Sequence, residues 1–426
     1  MAPTLSVLTR NRDFRYLFLA ELVMFGGDWF ALIPLVTLLQ QLTGSGLPGA
    51  LALAADTALS ALMLPFAGTL ADRLDRRKIM IVANAGSIVA ISLLFFVRSP
   101  GLAWLGPVAI GLAASAKAFY TPAATAALPN VVQPADLPAA NSLGGSAWGT
   151  MLVVGASLGG VLSSAFGPYV CFGLTLVCLF GSASLVWRVR RPMQADRDPA
   201  VADARPLRAI GEALRFIRHN PRVLSLVTVK SAVGVGNGVL GVFPILATVV
   251  FAAGPLGTGL LFAARGLGAL VGPLVLRPVL SRRSWLMPGL AVSMIVYGLA
   301  YLGVAFSAWF WLVLVLVTLA HLSGGANWVM SNYALQIEVP DALRGRVFAT
   351  DMMIVTLAMS FSLSFAGALT DHFSPRVPLA ICASLTLIYG IIWRITTRRL
   401  MRTTQSQPTV PASVPSAPSD AAARSR

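Results

Sequence analysis

Long apolar runs separated by short polar turns fill almost the whole chain. Each run holds about twenty residues, the length that a helix needs to cross the hydrocarbon core of a bilayer. The runs lack the alternation, in segments of roughly ten residues, that transmembrane strands require. The pattern therefore predicts an all-α membrane protein. Numbered in chain order, the twelve predicted spans cover residues 16–40, 49–70, 79–97, 102–127, 139–165, 169–187, 223–251, 257–276, 285–306, 309–333, 347–369 and 377–393.

One long polar connection separates the first six spans from the last six. Residues 188–222 are basic, and Pro206 within them can start a helix. Four apolar residues then recur at helical spacing: Leu207, Ile210, Leu214 and Ile217. This spacing predicts an amphipathic helix that lies on the membrane surface. We expect an N-terminal bundle at 1–187, this linker at 188–222, a C-terminal bundle at 223–398 and a disordered tail at 399–426 that is rich in Ser, Pro, Ala and Thr.

The two sets of six spans resemble each other at a nearly constant offset. Gly27-Asp28 and Gly236-Asn237 lie 209 residues apart, and Pro65 and Pro273 lie 208 apart. Such a repeat indicates two pseudo-symmetric six-helix bundles with a binding site between them near the membrane midplane. Chance matches in apolar sequence of low complexity are the alternative explanation, and the constancy of the offset argues against it.

The bulk composition excludes an ordinary soluble protein. Of 426 residues, 56% are hydrophobic and 11% are charged, whereas soluble domains hold about 25% charged residues. Of the 32 Lys and Arg, 27 fall on the side of the predicted membrane that carries both termini, and only Arg98 and Arg376 fall on the other. The positive-inside rule then predicts that both termini are cytoplasmic. The net charge of +16 reflects this topology and contact with anionic lipids, so we expect no nucleic-acid partner.

Residues that could form a catalytic or metal centre are few. The three cysteines lie inside apolar runs, which favours buried small side chains over disulfides or metal ligands. The chain holds three histidines and no H-E-x-x-H motif. We therefore expect no metal, no cofactor and no enzymatic activity.

The turn between spans 2 and 3 carries an unusual density of charge in "GTLADRLDRRK", residues 68–78. It resembles the motif G-x-L-A-D-R-x-G-R-[KR] of the major facilitator superfamily, with Asp75 where the family has glycine. The resemblance implies a cytoplasmic gate in which Asp72 accepts N–H groups from the N-terminus of span 11, while Arg73 and Arg77 pair with acids or lipid phosphates. A simple stop signal made of basic residues is the alternative. The matching positions are Gly68, Leu70, Asp72, Arg73, Arg76 and Arg77.

A second motif lies in span 5, where Gly155, Gly159 and Gly160 resemble the antiporter pattern G-P-x-x-G-G with Ala156 in place of proline. Close packing of helices is the alternative role for these glycines. The stretches 11–35, 119–141 and 339–349 resemble the bacterial branch of the superfamily that includes the enterobactin exporter and macrolide efflux proteins. This resemblance implies a monomer in the bacterial cytoplasmic membrane that exports a small organic molecule, driven by proton entry. Proton-coupled import and a non-transporting sensor are the alternatives.

Charged side chains at membrane depth are expensive, at roughly 2.5–3.5 kcal/mol each on insertion scales, and are functional candidates by default. Asp28 in span 1 and Lys117 in span 4 both lie near the midplane. We hypothesise that Asp28 carries the proton and that Lys117 is its counter-ion, against the alternatives of a static ion pair or a cap on the Gly26-Gly27 backbone. Glu21 lies on the same helix face as Asp28 and could relay protons or simply reach the surface.

The remaining membrane charges are gate candidates. Asp56 in span 2 and Arg265 in span 8 lie at similar depths on the outer side, where either could belong to an outer gate. Lys230 and Asp351 each lie about two turns in from the cytoplasm, and we expect them to bridge the two halves at the inner gate.

Polar and aromatic side chains near mid-span could line the substrate cavity. For each of them taken alone, ordinary packing is the default role, and for the histidine the default role is a structural hydrogen bond. The candidates are Phe25, Trp29, Asn237, His321, Asn327 and Trp328.

Overall fold

The protein is described by a computed structural model over residues 2–194, 206–275 and 285–402. Within these ranges all regular structure is helical, and twelve helices are long and apolar enough to cross a membrane. The predicted all-α membrane fold with twelve spans is thus confirmed. Spans 1 to 12 are the helices Arg12–Thr43, Leu47–Arg73, Arg76–Ser92, Leu105–Val131, Leu137–Phe166, Pro168–Arg188, Pro221–Gly236, Gly254–Val275, Leu286–Phe306, Phe310–Glu338, Asp341–Leu369 and Arg376–Arg402.

Several helices extend beyond the predicted apolar runs. A short helix, Ala2–Arg10, precedes span 1. Span 12 continues to Arg402, so the prediction of a disordered tail from residue 399 is wrong for its first four residues. The basic residues at this end keep helical geometry because cations near a helix C-terminus are favoured by the helix dipole. The rest of the predicted tail, 403–426, lies outside the described residues.

The spans pack as two bundles that meet along two helix pairs. In the first bundle, span 1 packs against spans 5 and 6, and span 4 packs against spans 2 and 3. In the second bundle, span 9 packs against spans 10 and 12, and span 11 packs against span 7. Span 2 contacts span 11, and span 5 contacts span 8, so the two bundles share an interface with two equivalent seams.

Glycines at repeat-related positions make equivalent contacts in the two bundles. A Cβ on Gly27 would lie 2.8 Å from the Cβ of Cys178 in span 6, and one on Gly236 would lie 2.9 Å from the Tyr297 ring in span 9 and also meet span 12. Small residues let helix backbones approach closely where lipid supplies no hydrophobic drive to associate. The offset between the two halves of the sequence therefore corresponds to a repeated packing solution.

Span 7 loses regular α-helical geometry at Asn237. A 3-10 segment, Asn237–Val242, a single turn at Phe243–Ile245 and a π-helical segment, Leu246–Val250, complete the crossing. Pro244 has no N–H to donate, and the neighbouring glycines lower helix stability. The break lies where the glycine-rich stretch of span 7 packs against span 11.

The predicted linker helix is present as Pro206–His219, but protein contacts anchor it. Ala213 and Ile217 are buried in one cluster with Val347 of span 11. Glu212 accepts a hydrogen bond from Arg346 of span 11 at 2.5 Å. One side of this helix therefore packs on the second bundle through Ala213 and Ile217, while Leu214 of the predicted apolar stripe stays exposed. The amphipathic pattern had predicted a helix on the membrane surface, and it could not tell the two apart because an apolar stripe packs equally well on protein or on lipid.

Candidate functional site

The two ends of the bundles differ in charge, which gives a frame for the site. We call the end that carries Arg10, Arg77 and Arg191 the basic face, and the end that carries Ser45 and Asp371 the opposite face. The candidate site lies between these two ends, on spans 1, 2, 4 and 8.

Asp28 and Lys117 form an ion pair across spans 1 and 4. The Lys117 ammonium donates to Oδ1 of Asp28 at 2.6 Å, and the two side chains are 28% and 18% exposed for Asp28 and Lys117 respectively. Gly27 packs against Cys178 of span 6, and Gly26 lies near Met151 of span 5. Asp28 is the residue after Gly27, so it is rotated by about one hundred degrees around the helix and points to span 4. Span 1 is a continuous helix here, so the pair replaces the proposed backbone cap.

Asp56 and Arg265 lie near this pair but do not join it. Asp56 is within electrostatic reach of Lys117, Asp28 and Arg265, and Arg265 is within reach of Tyr297 and Tyr301 in span 9. Neither charged group forms an ion pair or hydrogen bond with the described residues. The outer-gate pair that the sequence suggested is therefore not closed here, and both charges are half-buried near the site.

Aromatic side chains connect this charged region to the second bundle. The ring centroids of Trp29 and Phe262 lie 5.7 Å apart, and Phe243 stands edge-on to Phe262 at 5.3 Å. Trp29 is partly exposed beside Asp28, and Phe262 lies one turn before Arg265. Phe25 is partly buried against the core of the first bundle. The site thus combines charges with a flat apolar surface shared by both bundles.

Glu21 lies two helical turns from Asp28 and is half-buried. It is electrostatically close to the hydroxyl of Tyr120, a fully buried residue one turn after Lys117 on span 4. Its side chain faces the bundle interior, which agrees with a position on the Asp28 face. The proton relay through Glu21 stays a prediction.

Lys230 and Asp351 form an ion pair, but the prediction that they bridge the two halves is wrong. Lys230 belongs to span 7 and Asp351 to span 11, which both belong to the second bundle. Both side chains are 1% exposed, and Lys230 also donates to Asn332 at 2.7 Å and lies 5.0 Å from the ring centroid of Trp328. Equal depth in the membrane identified the partners, but both residues already belonged to the predicted C-terminal bundle at 223–398, so a bridge between the halves was inconsistent with that division.

The cavity candidates other than Phe25 and Trp29 belong to the second bundle. His321 is buried and hydrogen-bonds Tyr301 at 2.7 Å. Asn327 is 1% exposed and donates to the hydroxyl of Ser293 at 2.7 Å, so the prediction that it lines an open cavity is wrong in this state. Asn237 accepts from Tyr297 at 3.2 Å and is only half-buried. Trp328 covers Lys230, so its packing role is explained by that cluster.

The charged turn on the basic face is held by the first bundle itself. Asp75, which replaces the family glycine, caps span 3 by accepting from the backbone N–H of Arg77 at 2.9 Å. Its φ of −62° needs no glycine. Arg76 donates to the carbonyls of Ala126 and Met193. Arg77, for which acids or lipid phosphates had been expected as partners, donates to the carbonyl of Arg191.

The rest of this motif belongs to the end of span 2. Gly68 lies in the last turns of that helix, and the carbonyl of Leu70 accepts the N–H of Leu74 at 2.9 Å. Arg73 is the last residue of the span, and it interacts with neighbouring groups. The side chain of Asp72 lies outside the described part of the structure, so its predicted contact with span 11 stays a prediction.

The glycine motif of span 5 makes contacts on both sides of the bundle interface. A Cβ on Gly155 would lie 3.0 Å from Trp29, and one on Gly159 would lie 2.8 Å from the Trp29 carbonyl. A Cβ on Gly160 would lie 3.0 Å from the Cα of Gly259 in span 8. Gly367, which lies 207 residues after Gly160 in the second half of the chain, meets the Cβ of Ala50 in span 2. These glycines allow backbone to meet backbone along both seams.

Polar contacts on the opposite face were missed by the sequence analysis. Ser45 and the N–H of Gly46 donate to Asp371 at 2.8 and 3.2 Å, which joins the 1–2 turn to the 11–12 turn. Deeper in the same seam, Thr57 hydrogen-bonds Ser360 at 2.6 Å. The acid in the short 11–12 turn was the available signal, but sequence alone gave no partner for it. These contacts hold the two bundles together at the opposite face.

Comparisons with known proteins agree with this architecture. The profile of a family described as a transmembrane secretion effector matches residues 3–422. The multidrug efflux pump Tap of Mycolicibacterium fortuitum is 23% identical over 404 residues, which cover 90% of this chain and 95% of the pump. Macrolide efflux protein A of Streptococcus pyogenes is 23% identical over 342 residues, which cover 77% of this chain and 82% of that protein.

Solved structures share the fold at low sequence identity. The nucleoside transporter NupG superposes with a TM-score of 0.69 at 15% identity, covering 91% of this chain and 99% of its own. A bacterial homolog of the human lysosomal transporter Spinster, solved in an inward-facing and unoccupied conformation, gives a TM-score of 0.68 at 16% identity. The match covers 94% of this chain and 99% of that structure.

Proposed function

We propose that this chain, which belongs to the transmembrane secretion effector family of the major facilitator transporters, exports a small organic molecule in exchange for protons. Transport by a multi-pass membrane protein follows from the family. The direction and the coupling ion are our inference. The efflux activity named for two relatives supports export.

The observation that carries the proton coupling is the Asp28–Lys117 pair. A carboxylate at membrane depth whose charge is balanced by one lysine, and which is 28% exposed, can exchange a proton with water that enters from one side. A cationic group of the substrate that lies beside Asp28 favours the ionised carboxylate, so substrate binding releases the proton and protonation weakens substrate binding. Proton and substrate then compete for one group, which is the requirement for antiport.

The two seams between the bundles supply the moving parts. Contacts from Ser45 and Gly46 to Asp371, together with the backbone contact of Gly160 with Gly259, support a state closed at the opposite face. Rocking of one bundle against the other about the site would break these contacts and close the basic face. The turn at residues 68–78 would then move with the first bundle, to which Arg76 and Arg77 attach it.

We further propose that both termini are cytoplasmic and that the protein acts as a monomer in a bacterial inner membrane. The distribution of Lys and Arg supports the orientation. In this orientation the opposite face is periplasmic, and the site is reached from the cytoplasm when that face is closed.

The test is transport by Asp28→Asn in cells that lack their own major efflux pumps. Loading with a panel of dyes and antibiotics, with and without an uncoupler, identifies a probe whose accumulation the wild-type protein lowers. We expect Asp28→Asn to reduce the uncoupler-sensitive efflux by at least about tenfold, because the amide keeps the size of the side chain but binds no proton. Asp75→Asn is the matched control, since asparagine also caps a helix.

Undiminished uncoupler-sensitive efflux by Asp28→Asn would remove Asp28 from the coupling. Efflux that ignores the uncoupler in the wild-type protein would contradict proton coupling itself. Faster uptake than in cells without the protein would favour import. Surface amounts of each variant, measured on membrane fractions, separate loss of function from loss of protein.

A further inference from the structure

Two of the four charges near the site have no partner of opposite sign in contact. Lys117 and Asp28 are paired at 2.6 Å. Among the described residues, by contrast, no oppositely charged group lies within the 4.0 Å of an ion pair from Asp56 or Arg265. Unpaired charges at membrane depth are rare because each one destabilises the protein. A ligand that pairs with both the acid and the base would remove this destabilisation.

The two unpaired charges belong to different bundles and interact electrostatically. Asp56 lies nine residues into span 2, and Arg265 lies eleven residues into span 8. Both helices begin at the opposite face, so the two residues lie about 14 and 17 Å from that end along their helices. Their charges are close enough to interact, but the two groups do not form an ion pair. Both residues are only partly buried. A ligand between them would contact both bundles at one depth.

The surroundings of Arg265 define the rest of the ligand. Phe262 lies one turn before it and packs against Trp29 of the first bundle at 5.7 Å. Tyr297 and Tyr301 of span 9 also lie within electrostatic reach of it. Aromatic side chains offer flat apolar contact to a ring system, and a cation over an aromatic face gains further attraction. The site thus presents an acid, a base and aromatic rings within one region.

We propose that Asp56 and Arg265 bind opposite charges of the same substrate, so that the transporter selects zwitterions built on an aromatic body. A cationic group of the substrate pairs with Asp56 and an anionic group pairs with Arg265. A singly charged molecule satisfies one of these residues and leaves the other unpaired, which costs affinity. This inference rests on the proposed export function for its biological meaning, but it concerns equilibrium binding and is tested without transport.

The test uses two dyes that differ by one charge. Tetramethylrhodamine with a free carboxylate is a zwitterion, and its methyl ester is a cation with the same ring system. Binding of each dye to the purified full-length protein in nanodiscs is followed by fluorescence anisotropy. We expect the zwitterion to bind about tenfold more tightly, the difference produced by one charge-assisted interaction of about 1.4 kcal/mol.

Variants assign the preference to the two residues. Arg265→Gln should abolish the tenfold preference by weakening the zwitterion but not the methyl ester, and Arg265→Lys should restore part of the preference. Asp56→Asn should weaken both dyes, because both carry the cation. Arg98→Gln, which removes a basic residue far from the site, is the matched control and should change neither affinity. Size-exclusion profiles and thermal unfolding of each variant show whether it is folded.

Equal affinity of the two dyes for the wild-type protein would overturn the proposal, and so would a preference that survives in folded Arg265→Gln. If Arg265→Gln does not fold, the Arg265→Lys and Asp56→Asn measurements decide. Loss of uncoupler-sensitive efflux as a property of the wild-type protein would overturn the proposed function but leave the binding preference standing. Uncoupler-sensitive efflux by a wild-type protein that binds both dyes equally would overturn the binding preference but leave the proposed function standing.

Discussion

In the described part of the chain, two lysine–aspartate pairs lie at membrane depth, one in each bundle, and they differ in access to solvent. Asp28 and Lys117 in the first bundle keep 28% and 18% of their side-chain surface exposed, whereas Lys230 and Asp351 in the second bundle keep 1% each. The second pair is further enclosed by Asn332 and by the ring of Trp328. The same two residue types therefore occupy a wet and a dry environment.

The difference shows that identical chemistry can serve two purposes. A pair that water can reach exchanges protons and ligands, so its charge state can change during a transport cycle. A pair without solvent is held by its neighbours and acts as a fixed link between spans 7 and 11, because a charge left alone in a dry interior is strongly destabilising. Variants of the two pairs should separate stability from transport in opposite directions.

The largest stability effect is expected for Lys230→Met. It leaves Asp351 buried without its cation, and breaking a buried pair in this way typically costs about 3–5 kcal/mol. Thermal unfolding of the detergent-purified protein measures the loss. The double variant Lys230→Met/Asp351→Leu removes both charges and should recover most of the stability. A single variant as stable as wild type would show that the pair is not dry, and the comparison would fail.

A smaller loss of stability is expected for Trp328→Leu. The substitution removes the ring that lies 5.0 Å from the Lys230 ammonium, and a desolvated cation–π contact contributes about 0.5–2 kcal/mol. The same unfolding measurement applies, and Trp187→Leu, at an exposed position on span 6, is the matched control. Losses of equal size in the two variants would mean that Trp328 contributes only general packing.

The smallest stability effect is expected for Lys117→Met, within about 1 kcal/mol, because water reaches Asp28 and the carboxylate can neutralise itself by taking up a proton. Its effect on transport should be the largest of the three, since Asp28 then stays protonated and no longer responds to substrate. Unfolding and uncoupler-sensitive efflux are measured on the same preparation. A destabilisation like that of Lys230→Met, with normal efflux, would reverse the assignment of the two pairs.

The sequence predicted the architecture well because the signals for it extend over many residues. Apolar runs, the side bias of Lys and Arg and the repeat offset each involve long stretches of chain. Asp28 and Lys117 were also assigned to a common depth on spans 1 and 4, and the structure brings them into contact. Depth along a helix can be counted from its ends, so partners at equal depth can be proposed without knowing side-chain direction.

Direction around a helix was the information that the sequence lacked. Spans 7, 10 and 11 are apolar on nearly all sides, so no stripe indicated which face meets a neighbour. Asn327 was therefore placed in a cavity although it faces Ser293. The placement of Lys230 and Asp351 across the bundle interface had a different cause, since both belong to the predicted C-terminal bundle and the proposed bridge disagreed with that division. Tyr297 and Tyr301, one turn apart on span 9, carried no pattern that marked them as partners of Asn237 and His321.

The meeting of Gly160 with Gly259, mirrored by Gly367 with Ala50, has an evolutionary consequence. Where main chains abut with hardly any side-chain atoms between them, the fit is set by the path of the helices themselves. Residues that recognise cargo can then be exchanged freely without spoiling the seal. Relatives could thus change the substrates that they transport while keeping one way of closing the opposite face.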